Sequence, residues 1–310
     1  MKKSNQLKYS LVLFLASLIW GTAFVAQSTG MDHIGGLTFT MIRSFIGTAF
    51  LLPIAAIVEH SGRKQEGEVN REKKEKKPLL SRDELIGCLV CGTFLCVATN
   101  LQQIGIGLTT VAKAGFLTAL YVILVPILGI FLKRRVPGYI WLCAVVSVIG
   151  LYFLCLAGKG SFSFTRGDIF EISCALAFAF QILSVDHFSP KCRSIVLSAM
   201  QFFVCGVETL VILPFLEHPT LTGVIEALPA LLYTGIMSSG VAYTLQVVGQ
   251  KNLPPALASL IMCFESVISA VSGWIILGQK MSGTEIFGAT LMFAAIVAAQ
   301  VLPFLTKEED

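Results

Sequence analysis

Three ionisable side chains fall inside long apolar stretches of this 310-residue chain: Arg43, Glu208 and Glu265. Such groups cost about 2.5–3.5 kcal/mol each on membrane-insertion scales, so they line a cavity or are paired. Glu265 follows the apolar run Leu260–Phe264, and no other charge appears until Lys280. It could bind a substrate cation or take up a proton during exchange. The alternative is a structural partner for Arg43 or for a neighbouring helix. Arg43, about two turns into its stretch, suits a carboxylate or phosphate, or else snorkels toward an interface. Glu208 is weaker, because nothing elsewhere in the chain echoes it. Uncharged polar groups join them: Asn100, Gln102, Gln103, Gln181, Gln201, Gln246 and Gln250. Gln102 and Gln246 suit hydrogen bonds to a substrate, or between helices. Trp20, Tyr121 and Tyr243 are candidate cavity walls, with helix packing as the alternative. The candidate substrate-binding set is Trp20, Arg43, Asn100, Gln102, Tyr121, Tyr243, Gln246 and Glu265.

No catalytic constellation accompanies them. HExxH, GxSxG and GxxxxGK[ST] are absent, and His33, His60, His187 and His218 lie near the ends of apolar runs or in loops. An intramembrane enzyme is therefore disfavoured. Gly105-Ile-Gly107 lacks the strand and helix of a dinucleotide site. Cys88-Leu-Val-Cys91 has CxxC spacing, but no second CxxC or His cluster follows it. Packing of small thiols explains it better than a metal. No cofactor and no metal is expected.

The elements that position these residues are membrane spans. The chain is 55% hydrophobic and 14% charged, against about a quarter charged in soluble domains. Apolar runs alternate with bunched charges, and each run is long enough to cross a hydrocarbon core of about 30 Å. We expect an all-α integral membrane protein with ten spans: about 8–29, 35–58, 84–108, 112–132, 137–158, 168–187, 195–216, 225–249, 255–277 and 284–305. The first 26 residues resemble a signal peptide, with Lys2, Lys3 and Lys8 before an apolar stretch. Cleavage would remove a span that the internal repeat requires, so a retained helix is expected. Pro126 should kink the fourth span, and Pro254-Pro255 should start the ninth.

The repeat is the organising feature. Residues 97–129 align with 241–273 at an offset of 144, with eight of 33 positions identical, Gln102/Gln246 among them. Tyr121 aligns with Glu265. Earlier in the chain the offset is 158, pairing Trp20 with Phe178 and Arg43 with Gln201. The difference is the extra length of the polar segment 59–84, whose mixed charges predict a flexible loop. A nucleic-acid role for it is disfavoured. The halves are thus 1–158 and 164–305. With the N-terminus inside, 18 Lys and Arg lie on the inner side and four on the outer. That positive-inside bias places both termini and the loop in the cytoplasm of a cell-membrane protein. Five spans per half make the repeats inverted.

Several stretches resemble the drug/metabolite transporter superfamily, EamA type. They are Trp20-Gly21, Arg43, Lys113–Pro126, Ala242–Gln246 and Pro254-Pro255 onward to Gly278. The resemblance covers nearly the whole chain outside the loop. It implies alternating-access transport of small metabolites, often export, through a cavity lined by both halves. The expected partners are the bilayer, a small-molecule substrate and protons, without nucleic acid; a homodimer is compatible. A non-transporting scaffold is the alternative, and it should leave no cavity at Gln102, Gln246 and Glu265. Two positions depart from the family pattern. Glu265-Ser266 stands where the family has Glu-Pro, which puts a kink there in doubt. Gln279 stands where an acidic residue is usual.

Overall fold

The computed structural model describes residues 3–69, 80–109, 111–155, 165–277 and 282–305. Among these residues the chain is all-helical: α1 (Lys3–Gly30), α2 (Gly36–Val69), α3 (Arg82–Leu108), α4 (Val111–Thr118), α5 (Tyr121–Phe131), α6 (Gly138–Cys155), α7 (Arg166–Phe188), α8 (Ser194–Leu216), α9 (Leu221–Glu226), α10 (Leu228–Tyr233), α11 (Tyr243–Gln250), α12 (Pro255–Met262), α13 (Glu265–Leu277) and α14 (Gly283–Leu305). Nine helical stretches among the described residues are long and apolar enough to cross a membrane, and a shorter apolar helix covers Gly138–Leu154. Helix is the form that satisfies every backbone donor and acceptor where water is absent. Large apolar side chains such as Leu142, Val145, Val211, Phe287 and Phe293 face outward, as lipid contact requires. The stretch Pro255–Ile276 is 67% buried, against 28% for Gly36–His60 and for Gly283–Leu302. This stretch, the ninth of the expected spans, therefore sits at the centre of the bundle.

Helix ends follow the sequence. Ser81 caps α3 and Thr165 caps α7, each with a capping box closed by Glu84 or Asp168. Pro254-Pro255 opens α12, as expected. The polar segment behaves differently from the expectation at its start. α2 continues unbroken to Val69, and Glu59 is held by Arg193 at 2.9 Å. A helix already nucleated by a membrane span extends cheaply into polar sequence, because propagation adds one hydrogen bond per residue fixed. Residues 70–79, at the heart of the expected loop, lie outside the described residues. Arg193 also grips Glu84, with Nε to Oε1 at 2.7 Å, and this pairing raises the guanidinium above its ordinary pKa.

Two spans are interrupted. In the fourth, the break falls at Ala119–Leu120, between α4 and α5. Pro126 lies inside α5, so the expected kink lies upstream of the proline. In the ninth, the break falls at Cys263–Phe264, and it forms without the family's proline. Both breaks are tightened turns of i→i−3 bonds: Leu120, Val122 and Ile123 donate to Leu117, Ala119 and Leu120, while Phe264, Ser266 and Val267 donate to Ile261, Cys263 and Phe264. The eighth span contains a π-helical segment at Thr234–Ala242.

Glycines set the closest helix approaches. Gly92 of α3 lies against Val204 and the Gln201 carbonyl of α8, where a Cβ would meet Val204 at 2.6 Å. Gly235 lies against Ile46 and the Arg43 carbonyl of α2, again with 2.6 Å to Ile46. Gly150 and Gly288 bring α6 and α14 together, each against the other's carbonyl. Cys88 and Cys91 are buried in a small apolar cluster with Val185, Leu197 and Val247.

Candidate functional site

Many of the polar side chains of the spans converge on a small central cavity of about 30 Å³. Seven of the eight sequence-derived candidates line it: Trp20, Arg43, Gln102, Tyr121, Tyr243, Gln246 and Glu265. They come from α1, α2, α3, α5, α11 and α13.

Asn100 is the exception. It turns to α8, where its amide donates to Thr209 Oγ1 at 2.8 Å and to the Cys96 carbonyl at 2.9 Å. Two residues along an α-helix rotate the face by about 200°, which separates Asn100 from Gln102. Glu208 also lies away from the cavity, with its carboxylate accepting from Thr93 at 2.6 Å.

One wall is cationic. Arg43 is 3% exposed and donates through Nη1 to Gln27 Oε1 at 3.0 Å. Its guanidinium lies 5.9 Å from the centre of the Phe39 ring, and its Nε has no partner. Gln27 is absent from the sequence-derived set. Its signal was periodicity: Trp20, Phe24 and Gln27 fall at i, i+4 and i+7, and all three line the cavity. Facing them, Glu265 is the first residue after the break in the ninth span. Tyr121 is the first residue after the break in the fourth, and its hydroxyl donates to Glu265 Oε1 at 3.0 Å. Arg43 and Glu265 thus have separate partners.

The remaining walls are amide and aromatic. Gln246 donates to Gln181 at 3.2 Å, and Gln181 donates to Gln201 at 3.3 Å. Gln246 Oε1 and Trp20 Nε1 are buried without a partner. Tyr243 packs edge-on between Trp20 at 4.8 Å and Phe202 at 4.9 Å between ring centres. Phe178, Ile182 and Met262 add apolar surface, and Ser238 of the π-helical segment adds a hydroxyl. Unpartnered buried polar atoms are costly and rare. Three of them at one cavity (on Arg43, Gln246 and Trp20) leave hydrogen-bonding capacity for a small polar molecule.

An apolar helical bundle around a polar, partly unsatisfied cavity defines a polytopic membrane protein. The family model of EamA-like transporters matches the chain twice, over residues 7–156 and 165–299. The chain belongs to the EamA-like transporter family, within the drug/metabolite transporter superfamily. An uncharacterized transporter of Archaeoglobus fulgidus is 27% identical over 301 residues, covering 94% of this chain and 86% of that protein. The uncharacterized transporter YoaV of Bacillus subtilis is 24% identical, covering 93% and 95%. The threonine/homoserine exporter RhtA of Escherichia coli is 25% identical over 190 residues, which is 59% of each chain. A solved crystal structure superposes with a TM-score of 0.75 at 19% identity, covering 97% of this chain and 99% of the other. At that identity the likeness concerns the fold.

Proposed function

We propose that the protein is a secondary active transporter of the cell membrane, exporting small amino-acid-like metabolites by alternating access and coupled to protons. The observation that carries this reading is the cavity itself. Gln102, Gln246 and Glu265 face shared empty space rather than being spent wholly on neighbouring helices. A scaffold has no use for that space. Arg43 supplies a cation for a carboxylate, Glu265 an anion for an amine or a proton, and the aromatic wall excludes larger solutes. The RhtA relatives make threonine and homoserine the first substrates to test.

Alternating access follows from two inverted five-helix halves, 1–158 and 164–305. The packing supports that reading residue by residue. The two span breaks match at an interval of 144, from Thr118/Met262 to Tyr121/Glu265. Their backbone bonds match at the same interval. Gly105 lies against Glu171 and Gly249 against Leu13, residues related by 144 and 158. Gly92 with Val204 and Gly235 with Ile46 repeat the pattern, except that the glycines are 143 apart. The π-helical segment Thr234–Ala242 includes Gly235 and takes up the one extra residue. Matched breaks in two central spans give each half a hinge at the same depth, so one half can tighten as the other opens.

The test is transport of labelled threonine, homoserine and a wider metabolite panel in proteoliposomes, with and without a pH gradient. Accumulation that depends on the gradient and is lost in Glu265→Gln supports the reading. An intact, correctly inserted protein that moves nothing in the panel and binds nothing in the cavity would leave the scaffold alternative.

A further inference from the structure

Besides Glu265 and the half-exposed Glu208, a fully buried acidic side chain lies in the spans, outside the cavity lining. Glu171 of α7 is fully buried at 0% exposure. Its Oε2 accepts from the Thr118 hydroxyl at 2.8 Å, and its Oε1 has no hydrogen-bond partner. Packing alone does not call for a carboxyl here. Its counterpart at an interval of 158 is Leu13, which fills the same place against Gly249 that Glu171 fills against Gly105. The bundle accepts an aliphatic side chain at one of two matched positions and carries a carboxyl at the other.

The connections of Glu171 run toward the cavity on one side and toward the end of α7 on the other. Thr118 is the last residue of α4, at the break in the fourth span. It also accepts a long hydrogen bond of 3.5 Å from Gln102, and Gln102 lines the cavity. In the other direction, Asp168 stands one turn nearer the start of α7 and accepts from Thr109 at 3.1 Å. Among the described side chains, Asp168 is the charged group acting on Glu171. The titratable Cys174 stands one turn further along α7, where Glu171, Thr118, Glu265 and Arg43 all act on it. α3 contributes the uncharged Gln102 and Gly105, and α4 contributes Thr118.

We infer that Glu171 is a second proton-exchanging carboxyl, a relay between the Asp168 end of the bundle and the central cavity, with Thr118 as its gate. The proton adds to the Glu171 carboxylate from the aqueous end. It leaves when the Glu171 O–H donates to Thr118 Oγ1 and the Thr118 hydroxyl, rotated from Glu171, passes its own proton to a water on the cavity side; Gln102 Nε2, itself a donor to Thr118, does not take it. Only O–H bonds form and break, and no oxidant or nucleotide takes part. Because Thr118 ends α4 at the break, bending of the fourth span makes or cuts this connection. The inference rests on the proton-coupled reading above and assigns that coupling a route.

Infrared pH-difference spectroscopy of the purified protein tests it without any substrate. The expected result is a protonated-carboxyl band that disappears in Glu171→Gln, separate from the band lost in Glu265→Gln. Thr118→Val should shift the Glu171 band, and Thr118→Ser should restore it. Glu171→Leu, which copies Leu13, should insert and melt like wild type. The inference is overturned if Glu171→Gln removes no band, if Thr118→Val leaves the band unmoved, or if Glu171→Leu unfolds the protein. Failure of the transport reading is separate, since it is read from solute flux and not from these spectra.

Discussion

Tyr121 hydrogen-bonds to the residue that stands 144 positions later, Glu265, at 3.0 Å, the same interval at which the chain repeats itself. Under the proposed inverted-repeat arrangement, two matched residues meet on the axis that relates the halves, and this contact is then its marker. Both residues line the central cavity.

Glu265→Gln keeps the shape and part of the hydrogen bonding but removes the titrating group. We expect pH-driven transport to fall to background while insertion and purification stay normal. The measurement is proteoliposome flux across several pH values. Transport equal to wild type at every pH would reduce Glu265 to a packing residue.

Arg43 is the cation available to a substrate carboxylate. A hydrogen bond to a charged group is worth about 1.5–3 kcal/mol, so Arg43→Ala should weaken substrate affinity about 10- to 100-fold. Arg43→Lys should recover only part, since it loses the planar fork. The concentration dependence of flux separates this from a change in maximal rate. Unchanged affinity in Arg43→Ala would remove Arg43 from the binding set.

Close glycine contacts predict a graded stability series. At Gly288 a Cβ would meet the Leu154 backbone nitrogen at 2.4 Å, whereas at Gly283 nothing lies within 4 Å. Gly288→Leu should lower stability by about 1–3 kcal/mol or more through overpacking. Gly283→Ala should be nearly silent. Thermal unfolding in detergent measures both, and equal midpoints would show that α6 and α14 separate without cost.

Arg193, at the start of α8, joins α2 to the start of α3 through Glu59 and Glu84. Arg193→Ala leaves the Glu84 carboxylate, 6% exposed, without its guanidinium. We expect a loss of about 1–2 kcal/mol, below that of a fully buried pair because Arg193 is 38% exposed. Its pKa is raised, so Arg193 stays charged as pH increases and the contribution should persist into the alkaline range. Unfolding midpoints at neutral and alkaline pH check both statements.

Orientation is settled by labelling. With the segment 59–84 cytoplasmic, an impermeant thiol reagent added to intact cells should spare Gly62→Cys and reach Thr220→Cys. The opposite pattern would invert the topology.

The spans and most cavity residues were legible because apolar sequence makes each polar residue conspicuous. Rotational phase was not used, and it decides Asn100 and Gln27: both are polar and helical, but one faces α8 and the other the cavity. Glu171 escaped notice because, so few residues into α7, it passes for a boundary residue. The break before Glu265 has no proline and could be read only from its match with the fourth span. The π-helical segment left one trace, an interval that changes from 143 to 144.

The Tyr121–Glu265 pair also bears on why both halves reside in one polypeptide. Two identical five-helix chains meeting on a two-fold axis would set the same residue against itself. They could offer two carboxyls in mutual repulsion or two phenols with no acid. A fused, duplicated gene lets the two copies mutate independently, so a donor can face an acceptor at the one point where symmetry forbids it. Divergence at that single position gives the centre a lone acid with a built-in partner, an arrangement closed to any homodimeric ancestor.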